Sequence, residues 1–299
     1  MKELVIIGAG NFGRETVWLA ESINKIQPTY NVLGFLDDTE EKQGKEFCGY
    51  PCLGKIPFLK ELARQRSIYA VIAMESCAGR QKIVASLGEF TNWETLIHPS
   101  ANIAESARIG AGSIICANTS ISVSTSIGDH CLINIGTIIG HDTAIGNYVS
   151  IMPGVCICGN AVINDSVYLG VNCSVMPKIT IGAKAKVGAG SAVLKNVAAS
   201  TTVLGVPATP IQISGPQPSP KQQKGWPDFL SFVAAIFQAD PRELNADTAY
   251  GEYEKWDSLM HMTLVMSIEE KYGITIPIED IPRLKTLQDL FSCTIKNLE

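Results

Sequence analysis

Residue types spaced for chemistry occur at few places in this 299-residue chain. Gly8-Ala-Gly10-Asn11-Phe12-Gly13 is a Gly-x-Gly-x-x-Gly turn whose backbone N–H groups, set at a helix N-terminus, can hold a phosphate. The acids Asp37-Asp38, at the end of the next strand, are placed to take a ribose hydroxyl. The same glycines would also serve a tight strand-to-helix turn with no ligand, and NAD is a further reading. Asp257-Ser258 opens a helical segment, where both residue types satisfy free helix N–H groups. There are 4 histidines and 9 cysteines. Neither Cys48/Cys52 nor Cys156/Cys158 has a second pair, and His130 and His141 lack a third partner, so no metal site is expected.

The elements that must position these residues fall into three segments. Lys2–Ile7 reads as a strand, the glycines as a turn, and Arg14 to about Ser22 as a helix. Further strands are expected at Asn31–Leu36 and Tyr69–Met74, the second ending in Glu75-Ser76. Strands alternating with helices imply a parallel, doubly wound α/β sheet with its site at the strand C-terminal ends.

From Ile97 the period becomes six. An aliphatic residue occupies every sixth position through Ile139, Ile163, Leu169 and Val175 to Val193, 17 in succession. Glycine follows it at 110, 128, 140, 146, 170, 182 and 188 and asparagine at 134 and 164, residue types expected to take positive φ at a corner. Two positions before it stands a small residue such as Ser113, Thr119, Cys131, Thr137, Ala161, Cys173 or Ser191, as a narrow interior requires. Three hexads then close one triangular coil.

Residues 97 to 197 resemble the left-handed parallel β-helix of hexapeptide-repeat acyltransferases, without an insertion. With GAGNFG and GFLDD in the head, the chain resembles the family of sialic acid O-acetyltransferases and bacterial 4-amino-sugar N-acetyltransferases, nucleotide-sugar acyltransferases. The resemblance implies that the Rossmann-like head grips a small-molecule acceptor, a UDP-sugar in that family. Gly8, Gly10, Asn11, Phe12 and Gly13 would lie beside the diphosphate and Asp37 and Asp38 against the nucleoside. The family commonly has a histidine in the Gly-rich turn, where this chain has Asn11-Phe12.

The segment Asn134 to Asp142, NIGTIIGHD, matches that family's active-site segment, and His141 aligns with its general base. An attacking amine or hydroxyl must lose a proton, and imidazole, with an ordinary pKa near ~6.5, suits that task. His141 falls two residues past Ile139, at a corner from which it can point outward, and Asp142 can orient the ring. Gly159, eighteen residues on, matches the glycine whose N–H stabilises the thioester oxygen. Asn134 and Ser150 are assigned to the acyl-donor pocket; Ser150 stands where many relatives place a second histidine. The family's groove lies between subunits of a trimer, so a homotrimer is expected.

After Val206-Pro207 the chain becomes rich in Pro, Gln, Ser and Lys, and residues 214–225 read as a flexible linker of root-mean-square reach roughly 17–21 Å. Beyond it, Trp226–Phe237, Leu259–Tyr272 and about Thr286 to Phe291 carry helical spacing, and Trp256-Asp-Ser-Leu-Met260 resembles an acyl carrier protein. That likeness implies 4′-phosphopantetheine on Ser258, a phosphopantetheinyl transferase, an acyl-loading enzyme, and an acidic helix bearing Glu269 and Glu270 toward basic partners. Residues 226 to 299 hold 13 Asp+Glu against 6 Lys+Arg.

The expected domains are therefore an α/β Rossmann-like acceptor domain at 1–96, a β-helix transferase at 97–213, the linker, and a small helical bundle at 226–299. Neither half has the basic stripe that nucleic acid requires, and no run of 18 apolar residues exists to span a bilayer. The start, MKELVIIGAG, reads as a first strand rather than a signal peptide, so cytoplasmic residence is the expectation. The tethered carrier would deliver the acyl group. Acetyl-CoA as donor, with the carrier serving another enzyme, and a silent trimeric scaffold are the competing expectations.

Overall fold

A computed structural model describes residues 1–210, 225–277 and 280–297, apart from the side chains of Leu259 and Pro282. It divides into two units, Met1–Thr209 and Pro210–Glu299. Residues 211–224, nearly all of the expected linker and the last residues of the expected β-helix domain, lie outside the described residues.

The head is a sheet of order β3-β4-β2-β1-β5, formed by β1 (Lys2–Ile7), β2 (Tyr30–Leu36), β3 (Glu46–Phe47), β4 (Tyr50–Gly54) and β5 (Ile68–Ile72). It is parallel except for the short β3–β4 hairpin, which the sequence did not announce. The apolar run of β1 is continuous because both its faces are covered: Leu4, Val5, Ile6 and Ile7 are wholly buried. Val17 and Ala20 of α1 (Asn11–Ile26) pack on one face. Leu59 and Leu62 of α2 (Phe58–Gln65), with Ile83 and Leu87 of α3 (Cys77–Leu87), pack on the other. Helix α1 starts inside the glycine motif, at Asn11 rather than Arg14, with Gly10 as its N-cap.

From Leu96–Ile97 to Ala192–Val193, two-residue strands recur every six residues and stack into three parallel sheets of a left-handed β-helix. Each strand pairs with the one eighteen residues on, as Ile121 with Ile139 and Ile139 with Ile157. The seven small residues expected inside are all at most 1% exposed. Ser113, Thr119, Cys131 and Thr137 donate to backbone carbonyls, as Ser113 Oγ to Gly128 O at 3.0 Å, and Ser191 Oγ accepts from Gly205 N at 3.1 Å. Ile97, in the first coil, is 36% exposed.

The corner glycines correct one expectation. Positive φ falls three positions after the aliphatic residue, at Asn118, Ser124, His130 and Asp142 among others, and not on the glycines that directly follow it. Those glycines are selected by stacking instead. A Cβ on Gly128 would lie 2.7 Å from Gly146 O, and one on Gly140 would lie 2.5 Å from Gly159 N in the next coil. Side-chain acceptors add a ladder along one corner: Asp129 Oδ1 accepts from Ala111 N at 2.8 Å, Asn147 Oδ1 from Asp129 N at 2.9 Å, and Asp165 Oδ1 from Asn147 N at 2.7 Å.

The head rests on one β-helix face. Phe12 and Val17 share a core with Leu96, Ile114, Leu132 and Met152.

In the second unit α4 (Trp226–Phe237), α5 (Ser258–Tyr272) and α6 (Leu287–Lys296) enclose Phe229, Val233, Trp256, Leu264, Ile268 and Leu290. Helix α6 begins with a Thr286/Asp289 capping box and runs past Phe291. Among the described residues no helix is long and apolar enough to cross a membrane.

Candidate active site

His141 follows the strand Ile138–Ile139 and the corner residue Gly140. The next residue, Asp142, adopts φ +55 and donates its N–H to Val123 O at 3.0 Å, which folds its carboxylate back toward the ring. Asp142 Oδ2 lies 2.8 Å from His141 Nδ1, and both side chains are more than half exposed. With Nδ1–H donating to the carboxylate, Nε2 keeps its lone pair for an incoming proton.

Gly159, one coil on, touches that nitrogen's space. A Cβ there would stand 2.6 Å from Nε2, so only glycine leaves the ring where it is. Gly140 serves likewise, because a side chain on it would cover the Gly159 amide. The ring borders a groove of about 320 Å³ in which Asn102, Ser120 and Ser122 supply polar atoms and Ile138 an apolar wall. A base, a bare backbone amide and a groove of mixed polarity are what proton removal beside a polarised carbonyl needs.

Ser150 and Asn134 do not join this cluster. Ser150 is fully buried, on the sheet face that the head covers: its Oγ donates to Glu75 O at 2.6 Å and accepts from Arg80 Nη1 at 3.0 Å. It therefore ties the head to the β-helix and has no bond to offer a thioester, which corrects its assignment to the donor pocket. Asn134 is 4% exposed, its Oδ1 accepts from Ile135 N at 2.7 Å, and it is not among the residues that line the groove.

The residue at the centre of that junction is Arg80 on α3, 1% exposed. Its guanidinium donates to the carbonyls of His130, Met74, Glu75, Tyr148 and Val149 at 2.7–3.1 Å, and burial pushes its pKa down. Nothing in the sequence separates this arginine from a solvated helix residue.

In the head, Gly8 has φ +107 and Gly13 packs directly on the Gly8 carbonyl, so both serve the turn itself. Phe12 is 7% exposed in the shared core and cannot face a ligand. Gly10 has open space around its Cα, and Asn11 is exposed, its Oδ1 accepting from Arg14 Nη2 at 2.6 Å. Asp37 is 8% exposed, accepting from Ala9 N at 2.8 Å, Thr39 N at 3.0 Å and Lys42 Nζ at 2.9 Å. Burial alone would raise its pKa, but these bonds outweigh it and bring the carboxyl to about 2. Its visible work is to lock the Gly-rich turn. Asp38 is exposed and accepts from Ile56 N at 2.9 Å. Gly10, Asn11 and Asp38 are thus the motif residues left open at the strand ends.

Among the described residues no three of His, Cys, Asp and Glu gather as a metal site. His130 stacks on Tyr148 at 5.2 Å and meets the Trp93 edge at 4.9 Å.

In the second unit Asp257 caps α5, its Oδ1 accepting from Met260 N at 2.8 Å. Ser258 is the first residue of the helix and is exposed, its hydroxyl 2.7 Å from Tyr250 Oη. A free hydroxyl at this place fits esterification. Met262 and Met266 are the helix's exposed apolar residues, 45% and 46%; Glu270 is exposed as well, whereas Glu269 is drawn inward to accept from Ile276 N at 2.7 Å.

Two parts of the chain match known families. Residues 3–87 match the family described as the PglD N-terminal domain, and residues 228–293 match the phosphopantetheine attachment site family. The acetyltransferase domain of PglB from Neisseria gonorrhoeae FA1090 is 27% identical and superposes with TM-score 0.63 over 70% of this chain and 100% of its own. PerB from Caulobacter crescentus, solved with CoA and GDP-perosamine, is 29% identical with TM-score 0.63, over 70% of this chain and 97% of its own. An acyl carrier protein of Thermosynechococcus vestitus is 35% identical over 60 residues, 20% of this chain and 74% of that protein. A hexapeptide β-helix beneath a PglD-type head, followed by a phosphopantetheine-binding module, makes this chain a member of the hexapeptide-repeat sugar acyltransferase family, fused to an acyl carrier protein domain.

Proposed function

We propose that the chain moves an acyl group from a thioester to an amine or hydroxyl of a nucleotide-activated sugar in surface polysaccharide biosynthesis. The observation that carries this reading is His141, with Nδ1 held by Asp142 and Nε2 facing the glycine at 159. Nε2 takes the proton from the acceptor as its nitrogen or oxygen attacks the thioester carbonyl. The Gly159 N–H takes the developing negative charge, and the imidazolium, stabilised by Asp142, returns the proton to the leaving thiolate. The open strand ends at Gly10, Asn11 and Asp38 hold the diphosphate and nucleoside, with Asp37 securing the turn beneath them.

Bound at Ser258, 4′-phosphopantetheine supplies a thiol that carries the acyl group as a thioester. Tethering on the same chain raises the donor concentration at the groove to about millimolar. A second reading, free acyl-CoA as donor, is favoured by the CoA found with PerB. The active unit is a homotrimer, supported by the exposed Val123, Ile138 and Met176, 53%, 52% and 44%, along the His141 side of the β-helix.

The test is transfer by purified full-length protein, carrying the arm and loaded with an acyl group, to a panel of UDP-, TDP- and GDP-linked amino sugars, with NAD as a binding control. Acylated sugar nucleotide, lost in His141→Ala, is the expected result. A His141→Ala protein as active as the wild type would remove His141 as the base, and a loaded wild type that transfers to no acceptor would leave the scaffold reading.

A further inference from the structure

The loop leading into α5 doubles back on itself. Gly251, at φ +79, donates its N–H to Trp256 O at 3.0 Å, and Trp256 N donates to Tyr253 O at 2.8 Å. Positions 250 and 258 are thereby brought side by side. Tyr250 is fixed from below as well. Its N–H donates to Lys285 O at 2.8 Å, and its ring lies 5.0 Å from the His261 ring and 6.3 Å from Trp256. Those two rings are themselves immobilised: Trp256 is 1% exposed and its Nε1 donates to His261 Nδ1 at 3.2 Å, while His261 Nε2 donates to Ile281 O at 3.1 Å. The Tyr250 ring, 37% exposed, lies against these two, and its hydroxyl meets Ser258 Oγ at 2.7 Å.

While Ser258 is a free alcohol, either hydroxyl can donate. Esterification removes the serine proton and leaves Oγ a poor acceptor, but it bonds to Oγ a phosphorus that bears the charged oxygens of the phosphodiester. Tyr250, still a donor, then has a stronger acceptor within reach, in a bond of the charge-assisted kind. We propose that Tyr250 is a positioning residue for the prosthetic arm, its hydroxyl donating to the phosphodiester formed at Ser258 and setting the direction in which the arm leaves the domain. This rests on Ser258 being the attachment point.

The test uses the full-length chain as wild type, Tyr250→Phe, Ser258→Ala and, as a control hydroxyl deletion, Tyr253→Phe. Each is treated with a phosphopantetheinyl transferase and CoA, which forms the Ser258 O–P bond and releases 3′,5′-ADP. Intact mass counts the arms, circular dichroism checks the fold, and ³¹P NMR reads the diester. The expected result is one arm on the three hydroxyl-bearing proteins, with the diester resonance displaced and narrowed in Tyr250→Phe and unchanged in Tyr253→Phe. A Tyr250→Phe diester with the wild-type position and line width overturns the inference while leaving Ser258 as the attachment point. An arm on Ser258→Ala, or none on the wild type, overturns both.

Discussion

His141 and Asp142 are consecutive residues whose side chains meet, Nδ1 to Oδ2 at 2.8 Å, because Asp142 turns into the left-handed region at φ +55. The pair is folded together by the coil's own turn.

The pair sets the first expectation. His141→Ala should lower turnover by roughly 10²–10⁴-fold, the usual worth of a positioned general base. Asp142→Asn keeps the ring and loses only its charge partner, which is half exposed, so a fall of about tenfold is expected, about 1.4 kcal/mol. Steady-state acyl transfer with acyl-CoA as donor reads both; an Asp142→Asn protein slower than His141→Ala would contradict the assignment.

Gly159→Ala places a methyl 2.6 Å from the present position of Nε2. Because the ring is exposed it can swing away, so melting temperature should hardly move while turnover falls at least roughly tenfold. Turnover equal to wild type would remove Gly159 from the site.

The groove and the core were not equally legible in sequence. Ile139 and Thr137 declare the coil because the interior repeats one side chain per strand, and His141 declares itself by the segment it ends. Ser150 did not, since the hexad says only that a residue points outward, and what covers that direction is α3, more than sixty residues earlier in the chain. Gly140 was read as a turn residue for the same reason: its cause is the Gly159 amide in the next coil, a neighbour in space and not in sequence.

His130 supplies a pH dependence. Burial between Trp93 and Tyr148 lowers its pKa from the ordinary 6.5 to about 4, against a raising effect of Asp129. The unfolded chain then binds the proton that the folded chain refuses. Stability contributed by the neutral ring is full above pH 6.5 and lost as pH falls toward 4. Denaturant unfolding between pH 7.5 and 4.5 should show this slope, reduced in His130→Phe; equal slopes would assign the loss elsewhere.

Ile138, 52% exposed beside the groove, tests the assembly. Sedimentation should give three copies for the wild type and smaller species for Ile138→Glu, since a charge buried without a partner opposes association. A wild type that sediments as a monomer would refute the trimer.

Ser258→Ala should block arm attachment and carrier-dependent transfer together. If that variant transfers from free acyl-CoA at the full rate seen for loaded wild type, the domain serves another enzyme.

The eighteen-residue coil, unbroken from Ile97 to Val193, gives this protein something close to a reading frame. Inserting one residue into the strands between Gly140 and Gly159 would slip every later side chain out of phase, turning inward residues outward and carrying the glycine away from the imidazole. Adding eighteen would restore the phase downstream. Along the strands such a transferase can therefore lengthen only by whole turns of its helix, while a corner can bulge out as a loop and leave the count intact.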